Sequence, residues 1–180
     1  MGIPRERNSD LDRLSISRAD ISDLDELFQM YVEAKQDLEK QFISQWTGNY
    51  PIRSIVKNDI EKQDLYVLKQ GGELIGAIVL NEDQDPEYKT INWRFDDSKV
   101  LVIHRLVVHP KHQRKGYAKT LMDFVEDYAK NNGYTSIRLD AYTQNQRVIH
   151  FYKTRGYGIR GNVYFPERKH PFHCMEKLIK

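Results

Sequence analysis

Only one cysteine occurs in this chain of 180 residues, so the sequence excludes an internal disulfide. The longest apolar stretches, residues 74–80 and 100–108, are far shorter than the ~20 residues that a membrane-spanning helix needs. Residues 1–12 carry mixed charges without an apolar run, which argues against a secretory signal. These three features lead us to expect a cytoplasmic protein that makes no membrane contact.

A surplus of one charge sign is also lacking. The 28 lysine and arginine residues nearly balance the 26 aspartate and glutamate residues, which gives a formal net charge of +2. A protein that coats nucleic acid is strongly basic, so the sequence predicts no nucleic-acid partner. The length fits one domain, and we expect residues 13–180 to form it as a monomer or homodimer, with residues 1–12 as a mobile lead-in.

What is present is a succession of strand and helix patterns. Short apolar runs that predict strands are residues 14–17, 65–68, 74–80, 100–108, 136–139 and 174–179. Apolar residues at helical spacing predict helices near residues 24–32, 52–60, 118–129 and 145–155. Gly71-Gly72 predicts a hairpin turn, Pro51 the first position of the second helix, and Asn145 the cap of the last helix. The sum is an α/β (α+β) domain with a mixed, mainly antiparallel sheet flanked by helices.

The most informative segment joins the strand that ends at Val108 to the helix that begins near Tyr117. Its residues 113–118 read Gln-Arg-Lys-Gly-Tyr-Ala. The first N–H groups of a helix have no internal partner, and the helix dipole is positive there. Gly116 and Ala118 leave room for a bulky anion to approach those amides, and neighbouring cationic side chains add positive charge. The segment therefore predicts a site for a diphosphate group.

Two familiar phosphate loops are absent, because neither Gly-x-x-x-x-Gly-Lys-Ser/Thr nor Gly-x-Gly-x-x-Gly occurs. On the loop alone, a basic turn before an amphipathic helix is an equal alternative. The residues that follow favour the site. A strand at 136–139 precedes Asn145, and then comes the run Phe-Tyr-Lys-Thr-Arg-Gly-Tyr at residues 151–157.

Together these segments resemble the GNAT superfamily of N-acetyltransferases, whose signature loop is Gln/Arg-x-x-Gly-x-Gly/Ala after a strand. Gln113, Gly116 and Ala118 fill the three signature positions, and Asn145 and Tyr152 match the later part of the pattern. The resemblance implies an enzyme that moves an acetyl group from acetyl-CoA directly to the amine of a small-molecule acceptor. It also implies that acetyl-CoA, the co-substrate, is held by a splayed pair of strands.

The resemblance assigns roles to single positions as well. Tyr152 would be the general acid that protonates the leaving thiolate. The residues expected to contact acetyl-CoA are Leu106, Val107, Val108, Gln113, Arg114, Lys115, Gly116, Tyr117, Ala118, Lys119 and Asn145. Helix geometry is consistent with pairing Asn145 and Tyr152 along one ligand. Residues seven positions apart in a helix share one face and lie about 10 Å apart along it. Val148 departs from the family, which often has alanine there, and its bulk could narrow the channel or change the acyl-length preference.

The sequence leaves two kinds of candidate for the general base. His104 would point to the same side of a regular strand as Leu106 and titrates in a suitable range, although a histidine on a strand is more often structural. The acidic loop at residues 81–98 could instead attract a cationic amine and host a base through water. Candidate residues for the acceptor pocket are Trp46, Tyr50, Trp93 and Glu82.

No metal site is predicted, because the histidines show no ligand pattern beyond His170 and His173. Cys174 lies in an apolar strand and is a poor candidate for a nucleophile. Three other functions stay open: a non-catalytic acyl-CoA-binding sensor, a reader of nucleic-acid phosphates, and an acetyltransferase that acts on a protein or peptide amine. Binding of acetyl-CoA separates the nucleic-acid reader from the others.

Overall fold

A computed structural model describes residues 13–48, 50–95 and 99–180. The strands in this part of the chain are β1 (Leu14–Arg18), β2 (Leu65–Gln70), β3 (Glu73–Asn81), β4 (Val100–Val108), β5 (Ser136–Tyr142), β6 (Gly158–Val163) and β7 (Phe172–Leu178). The helices are α1 (Leu24–Lys40), α2 (Arg53–Glu61), α3 (Tyr117–Asn131) and α4 (Gln146–Thr154). One sheet has the order β1-β2-β3-β4-β5-β7-β6, and only its β4–β5 pair is parallel. The predicted mixed, mainly antiparallel sheet flanked by helices is confirmed.

The helices cover both faces of the sheet. One face packs against α1 and α2 through Leu27, Met30, Val56, Val67 and Val79. The other face packs against α3 and α4 through Leu68, Ile78, Leu121, Val125 and Ile149. Successive residues of a strand point to opposite faces of the sheet. Because helices cover both faces, the residues of β2 and β3 that point to either face are apolar. The two strands therefore read as continuous apolar runs in the sequence. Of the described helices, none combines the length and the apolar character that crossing a membrane requires.

Several predicted details are confirmed. Gly71 and Gly72 have positive φ and form the turn between β2 and β3. Asn145 caps α4, since its side chain accepts a hydrogen bond from the Val148 N–H. Before the first helix, Asp20 accepts a hydrogen bond from the Ser22 N–H and opens a short 3-10 turn that leads into α1.

Two predictions about the first two helices are wrong. α1 continues to Lys40, beyond the predicted residues 24–32, because its polar end is rich in good helix formers and carries the Lys35–Glu39 ion pair. Pro51 does not begin α2; Ile52 is the N-cap and Arg53 the first helical residue. The prediction of a mobile lead-in falls on residues 1–12, which lie outside the described residues.

Strand β4 contains a β-bulge at Arg105. Between paired positions, β3 advances by two residues where β4 advances by three, from His104 to Val107. Arg105 has a φ of 49°, which is unusual for a residue other than glycine. A bulge changes the direction of the side chains that follow it. The strict alternation that placed His104 and Leu106 on one side of the strand therefore does not hold.

The parallel strands β4 and β5 pair only at their beginnings. Their register runs from Val100 opposite Ser136 to Val102 opposite Arg138. Beyond these pairs, residues 103–106 and 139–142 line the walls of one cavity. The two strands thus splay apart in the middle of the sheet, as the resemblance implied.

Candidate active site

The splayed strands enclose a cavity of about 330 Å³, which we call the splay cavity. Its walls include β4 and β5 on two sides and α4 on a third. The aromatic residues that line it are Trp46, Tyr50, Tyr142, Tyr152, Phe165 and Phe172. Two carboxylates, Asp85 and Asp140, line the same space. It therefore combines an apolar enclosure with acidic groups that suit a cationic amine.

A second cavity of about 330 Å³, which we call the amide cavity, lies beside the loop that leads into α3. Its lining includes Gln113, Arg114, residues 116–119 and the β4 residues 106–108. The residues that line both cavities are Gln45, Trp46, Leu106 and Val148. Because the cavities share these walls, one extended ligand could reach from the loop to the splayed strands.

The backbone before α3 has the shape of an anion-binding nest. Arg114 has a φ of 63° and Gly116 a φ of 84°, whereas Lys115 between them lies outside the positive-φ region. Alternation of this kind turns successive N–H groups toward one point. In the part of the chain that the structure describes, the N–H groups of residues 114–116 have no hydrogen-bond partner, and the first bond of α3 joins the Thr120 N–H to the Gly116 carbonyl. These amides match the predicted diphosphate site.

The space in front of these amides is open. A Cβ built on Gly116 would meet no atom within 4 Å. Arg114 and Lys115 are exposed beside it, while Lys119 pairs with Asp123 at 3.0 Å. Arg147, which the sequence analysis missed, lines the same cavity from the first turn of α4. The site therefore has the unfilled volume and the cations that a bound phosphate group needs.

Helix α4 carries its candidate residues in the predicted order along one face. Asn145 lines the amide cavity, Tyr152 lines the splay cavity, and Val148 lines both. Asn145 has a double role, because Oδ1 caps the Val148 N–H at 3.3 Å while Nδ2 donates to Gln45 Oε1 at 2.9 Å. A ligand along this face would pass Asn145 first and reach Tyr152 at the splayed strands.

Tyr152 presents a buried phenol to the splay cavity. The residue is 5% exposed, and among the described residues its hydroxyl has no hydrogen-bond partner. Burial raises the pKa of Tyr152, and the negative charge of Asp140 raises it further. The hydroxyl is therefore protonated at neutral pH and can donate its proton within the cavity.

Asp140 is a candidate base that the sequence analysis missed. It lies on β5, lines the splay cavity, and accepts a 2.7 Å hydrogen bond at Oδ2 from the Tyr88 hydroxyl. Burial raises its pKa to about 6, the Tyr88 hydrogen bond acts in the opposite direction, and the charge of Asp85 raises the pKa. The one signal in the sequence was an acidic residue inside the otherwise apolar end of a strand, Leu-Asp-Ala-Tyr at residues 139–142.

His104 also lines the splay cavity but is a weaker base. Burial lowers its pKa to about 4, and the positive charge of Arg105 lowers it as well. Its Nε2–H donates to Asn81 Oδ1 at 2.8 Å and to the Asp83 carbonyl at 3.1 Å. The ring is therefore neutral at physiological pH, and its contacts suit a structural role.

The structure brings together only some of the predicted acceptor residues. Trp46 and Tyr50 line the splay cavity. Trp93 packs instead on Tyr88, with ring centroids 5.3 Å apart, outside both cavities. Glu82 is also outside them and accepts a 2.9 Å hydrogen bond from the Tyr134 hydroxyl.

Comparisons with known proteins agree with this site. A sequence profile of the Acetyltransferase (GNAT) family matches residues 24–157. An uncharacterised N-acetyltransferase from Archaeoglobus fulgidus is 27% identical over 146 residues, which is 79% of this chain and 91% of that protein.

Solved structures share the fold. The GNAT-family acetyltransferase from Streptococcus agalactiae has a TM-score of 0.82 at 21% identity, over 93% of this chain and 96% of that one. PaiA N-acetyltransferase from Thermoplasma acidophilum, solved in complex with coenzyme A, has a TM-score of 0.68 at 21% identity, over 92% and 99% of the two chains. Because the family profile spans most of the sequence and the structure has the matching fold, this chain belongs to the GNAT family of acetyltransferases.

Proposed function

We propose that this protein transfers an acetyl group from acetyl-CoA to the amine of a small-molecule acceptor. The observation that carries the proposal is the continuity of the two cavities. The amide cavity begins at Arg114 and Gly116, whose N–H groups have no hydrogen-bond partner among the described residues, and it shares walls with the splay cavity, where Asp140 and Tyr152 lie. Binding groups and reactive groups thus line one path.

The residues of the amide cavity suit acetyl-CoA. The backbone N–H groups of residues 114–118 would hold the diphosphate, with Arg114, Lys115 and Arg147 as neighbouring cations. Asn145 and the backbone of residues 106–108 would position the pantetheine arm. Acetyl-CoA supplies an acetyl thioester, whose C–S bond is replaced by a C–N bond to the acceptor while CoA leaves as the thiol.

Asp140 would accept the proton of the acceptor amine. An alkylammonium group has a pKa of about 10.4, so the amine must lose a proton before it can attack. Oδ2 of Asp140 is held by Tyr88, and among the described residues Oδ1 has no hydrogen-bond partner, so Oδ1 can take the proton directly or through a water molecule. His104 is less suited to this role, because it is the weaker base.

Tyr152 would donate its hydroxyl proton to the leaving sulfur. A thiol has a reference pKa of about 8.5 and a tyrosine of about 10, so the help from a tyrosine is moderate. The transfer would be direct, since neither a cysteine nor a serine nor a threonine occurs among the described residues that line the splay cavity. Cys174 is fully buried in β7, and burial raises the pKa of its thiol.

A screen of amine acceptors tests the proposal. Release of CoA thiol from acetyl-CoA would be followed with amino acids, diamines, simple alkylamines and short peptides. We expect turnover with small amines that Asp140→Asn and Tyr152→Phe both reduce. Binding of acetyl-CoA without turnover on any acceptor would make the protein a sensor, and the absence of binding would reject the proposal.

A further inference from the structure

Arg168 places a positive charge in the wall of the splay cavity. It lies in the loop between β6 and β7 and is half-buried. Its Nε donates to the Gln45 carbonyl at 2.8 Å, and its Nη1 donates to Thr47 Oγ1 at 3.2 Å and to the Pro166 carbonyl at 3.3 Å. All three acceptors are neutral. Within residues 13–48, 50–95 and 99–180, no carboxylate pairs with Arg168.

The other arginine of the cavity shows the contrast. Arg105 donates from Nε and Nη2 to the two carboxylate oxygens of Asp59, at 2.9 Å and 2.7 Å. Its charge is therefore neutralised within the protein. Arg168 differs because its positive charge has no such partner on the described part of the chain.

The Arg168 guanidinium is also fixed in position. A guanidinium group has five N–H donors in a planar fork, and the recorded contacts of Arg168 use Nε and Nη1. The group lies over the Tyr50 ring, 5.4 Å from its centroid. Nη2 thus has donors available to a ligand on a side chain that three hydrogen bonds already hold in place. Pre-ordering of this kind strengthens binding, because less conformational entropy is lost.

Carboxylates line the same cavity. Asp140 has a free oxygen, and the Asp85 carboxylate makes neither a hydrogen bond nor an ion pair with any described residue. Burial and the neighbouring Glu87 raise the pKa of Asp85. The cavity therefore offers acidic groups to a cationic amine and one cationic group to an anion.

We propose that the acceptor is a small amino-carboxylate, an α-amino acid or a close relative, whose carboxylate binds Arg168 while its amine lies at Asp140. This inference rests on the proposed function. A carboxylate fits better than a phosphate, because one arginine balances its single charge, whereas a second negative charge would be repelled by Asp85 and Asp140. The aromatic walls at Trp46, Tyr50 and Phe172 would surround the side chain of the acceptor.

Matched acceptors test the inference. Each α-amino acid would be compared with its carboxamide, which keeps the amine and the side chain but lacks the negative charge. The readout is kcat/KM from CoA thiol release. We expect the wild-type protein to prefer the acid over the amide about tenfold or more, as is typical when a charged hydrogen bond is lost. Arg168→Gln should reduce this preference toward one.

The ratio of kcat/KM for the acid to kcat/KM for its amide distinguishes recognition of the negative charge from a change of loop structure. Loss of the Gln45 and Thr47 contacts would affect an acid and its amide alike, whereas loss of a carboxylate contact affects only the acid. Lys169→Gln is the matched control, because it removes a neighbouring charge from an exposed residue outside the cavity and should keep the full preference.

Each result has a clear meaning. An Arg168→Gln variant that keeps the wild-type preference overturns the inference. A wild-type protein that binds acetyl-CoA but acetylates only carboxamides or diamines overturns it too, and leaves the proposed function intact. If calorimetry shows no binding of acetyl-CoA, the proposed function falls as well.

Discussion

The Tyr31 hydroxyl donates a 2.8 Å hydrogen bond to the carbonyl oxygen of Arg105, 74 residues away in the sequence. The side chain of the same arginine is bound by Asp59 and by the Tyr50 hydroxyl at 2.8 Å. The bulged residue of β4 is thus held at its carbonyl and at its guanidinium. A positive φ at a residue other than glycine costs about 1–2 kcal/mol, and these contacts offset that cost. The bulge in turn sets the course of residues 106–108 past the amide cavity.

Asp59→Ala should destabilise the fold strongly. It would leave the Arg105 guanidinium without its partner at a site where both side chains are 13% exposed or less. Loss of one member of such a pair costs about 3–5 kcal/mol of the free energy of unfolding. Urea denaturation measures the loss. Asp25→Ala, which breaks an exposed pair with Arg53, should cost less than about 1 kcal/mol. Similar costs for the two variants would show that the Asp59–Arg105 contact does not secure the bulge.

The pH dependence of kcat/KM should report Asp140. Activity needs the deprotonated carboxylate, so kcat/KM should rise as the pH increases through about 6. Tyr88→Phe removes a hydrogen bond that lowers this pKa and should move the rise to higher pH. Asp85→Asn removes a negative charge that raises the pKa and should move the rise to lower pH. Asp140→Asn should abolish the rise of kcat/KM near pH 6.

The opposite directions of the Tyr88 and Asp85 shifts make this test specific. A general loss of structure would lower kcat/KM without moving the midpoint. If the rise stays near pH 6 in Asp140→Asn, another group is the base.

Tyr152→Phe should slow turnover and leave binding of acetyl-CoA nearly unchanged. General acid catalysis typically contributes 10²–10⁴-fold, and the low pKa of a thiol leaving group leads us to expect an effect of about 10²-fold on kcat. Steady-state kinetics and calorimetry give the two quantities separately. Tyr164→Phe, at a residue that is 73% exposed, is the control and should have wild-type turnover. Unchanged kcat in Tyr152→Phe would remove this tyrosine from the mechanism.

Val148→Ala should widen the junction of the two cavities. Val148 lines both, so loss of its branched side chain gives space where the acyl group would lie. We expect kcat/KM for propionyl-CoA relative to acetyl-CoA to rise about tenfold, which is typical of one methylene group in an apolar pocket. Ile149→Val, in the core behind the same helix, should leave this ratio unchanged. A constant ratio in Val148→Ala would place the acyl group elsewhere.

Local signals in the sequence were sufficient for most of the fold. The two glycines between β2 and β3 and the cap at Asn145 act through neighbouring residues, so their effect is visible in a short window of sequence. The limits of α1 and α2 differ from the predicted ones because they do not depend on short-range signals alone. The polar end of α1 extends beyond its buried stripe, and the start of α2 depends on the backbone at Ile52 rather than on Pro51 alone.

The site was only partly predictable because its polar residues meet through tertiary contacts. The loop at residues 113–118 is local, so the sequence alone is enough to predict it as a candidate diphosphate site. The carboxylate of the base candidate Asp140 is hydrogen-bonded by Tyr88, 52 residues earlier in the sequence. The Arg168 guanidinium is hydrogen-bonded to Gln45, 123 residues earlier. The bulge at Arg105 changed the direction expected for its neighbours, and no pattern in the sequence indicates it.

Titration of acetyl-CoA into two glycine variants tests the central claim, that the amides before α3 bind a diphosphate. Gly116 and Gly133 flank α3, both have positive φ, and an added Cβ meets no atom at either. Gly116→Glu and Gly133→Glu therefore introduce similar strain and the same charge at opposite ends of one helix. We predict calorimetric binding of acetyl-CoA to the wild-type protein and to Gly133→Glu, and none to Gly116→Glu. Equal binding to the two variants, or no binding to the wild-type protein, would show that these amides do not hold the diphosphate.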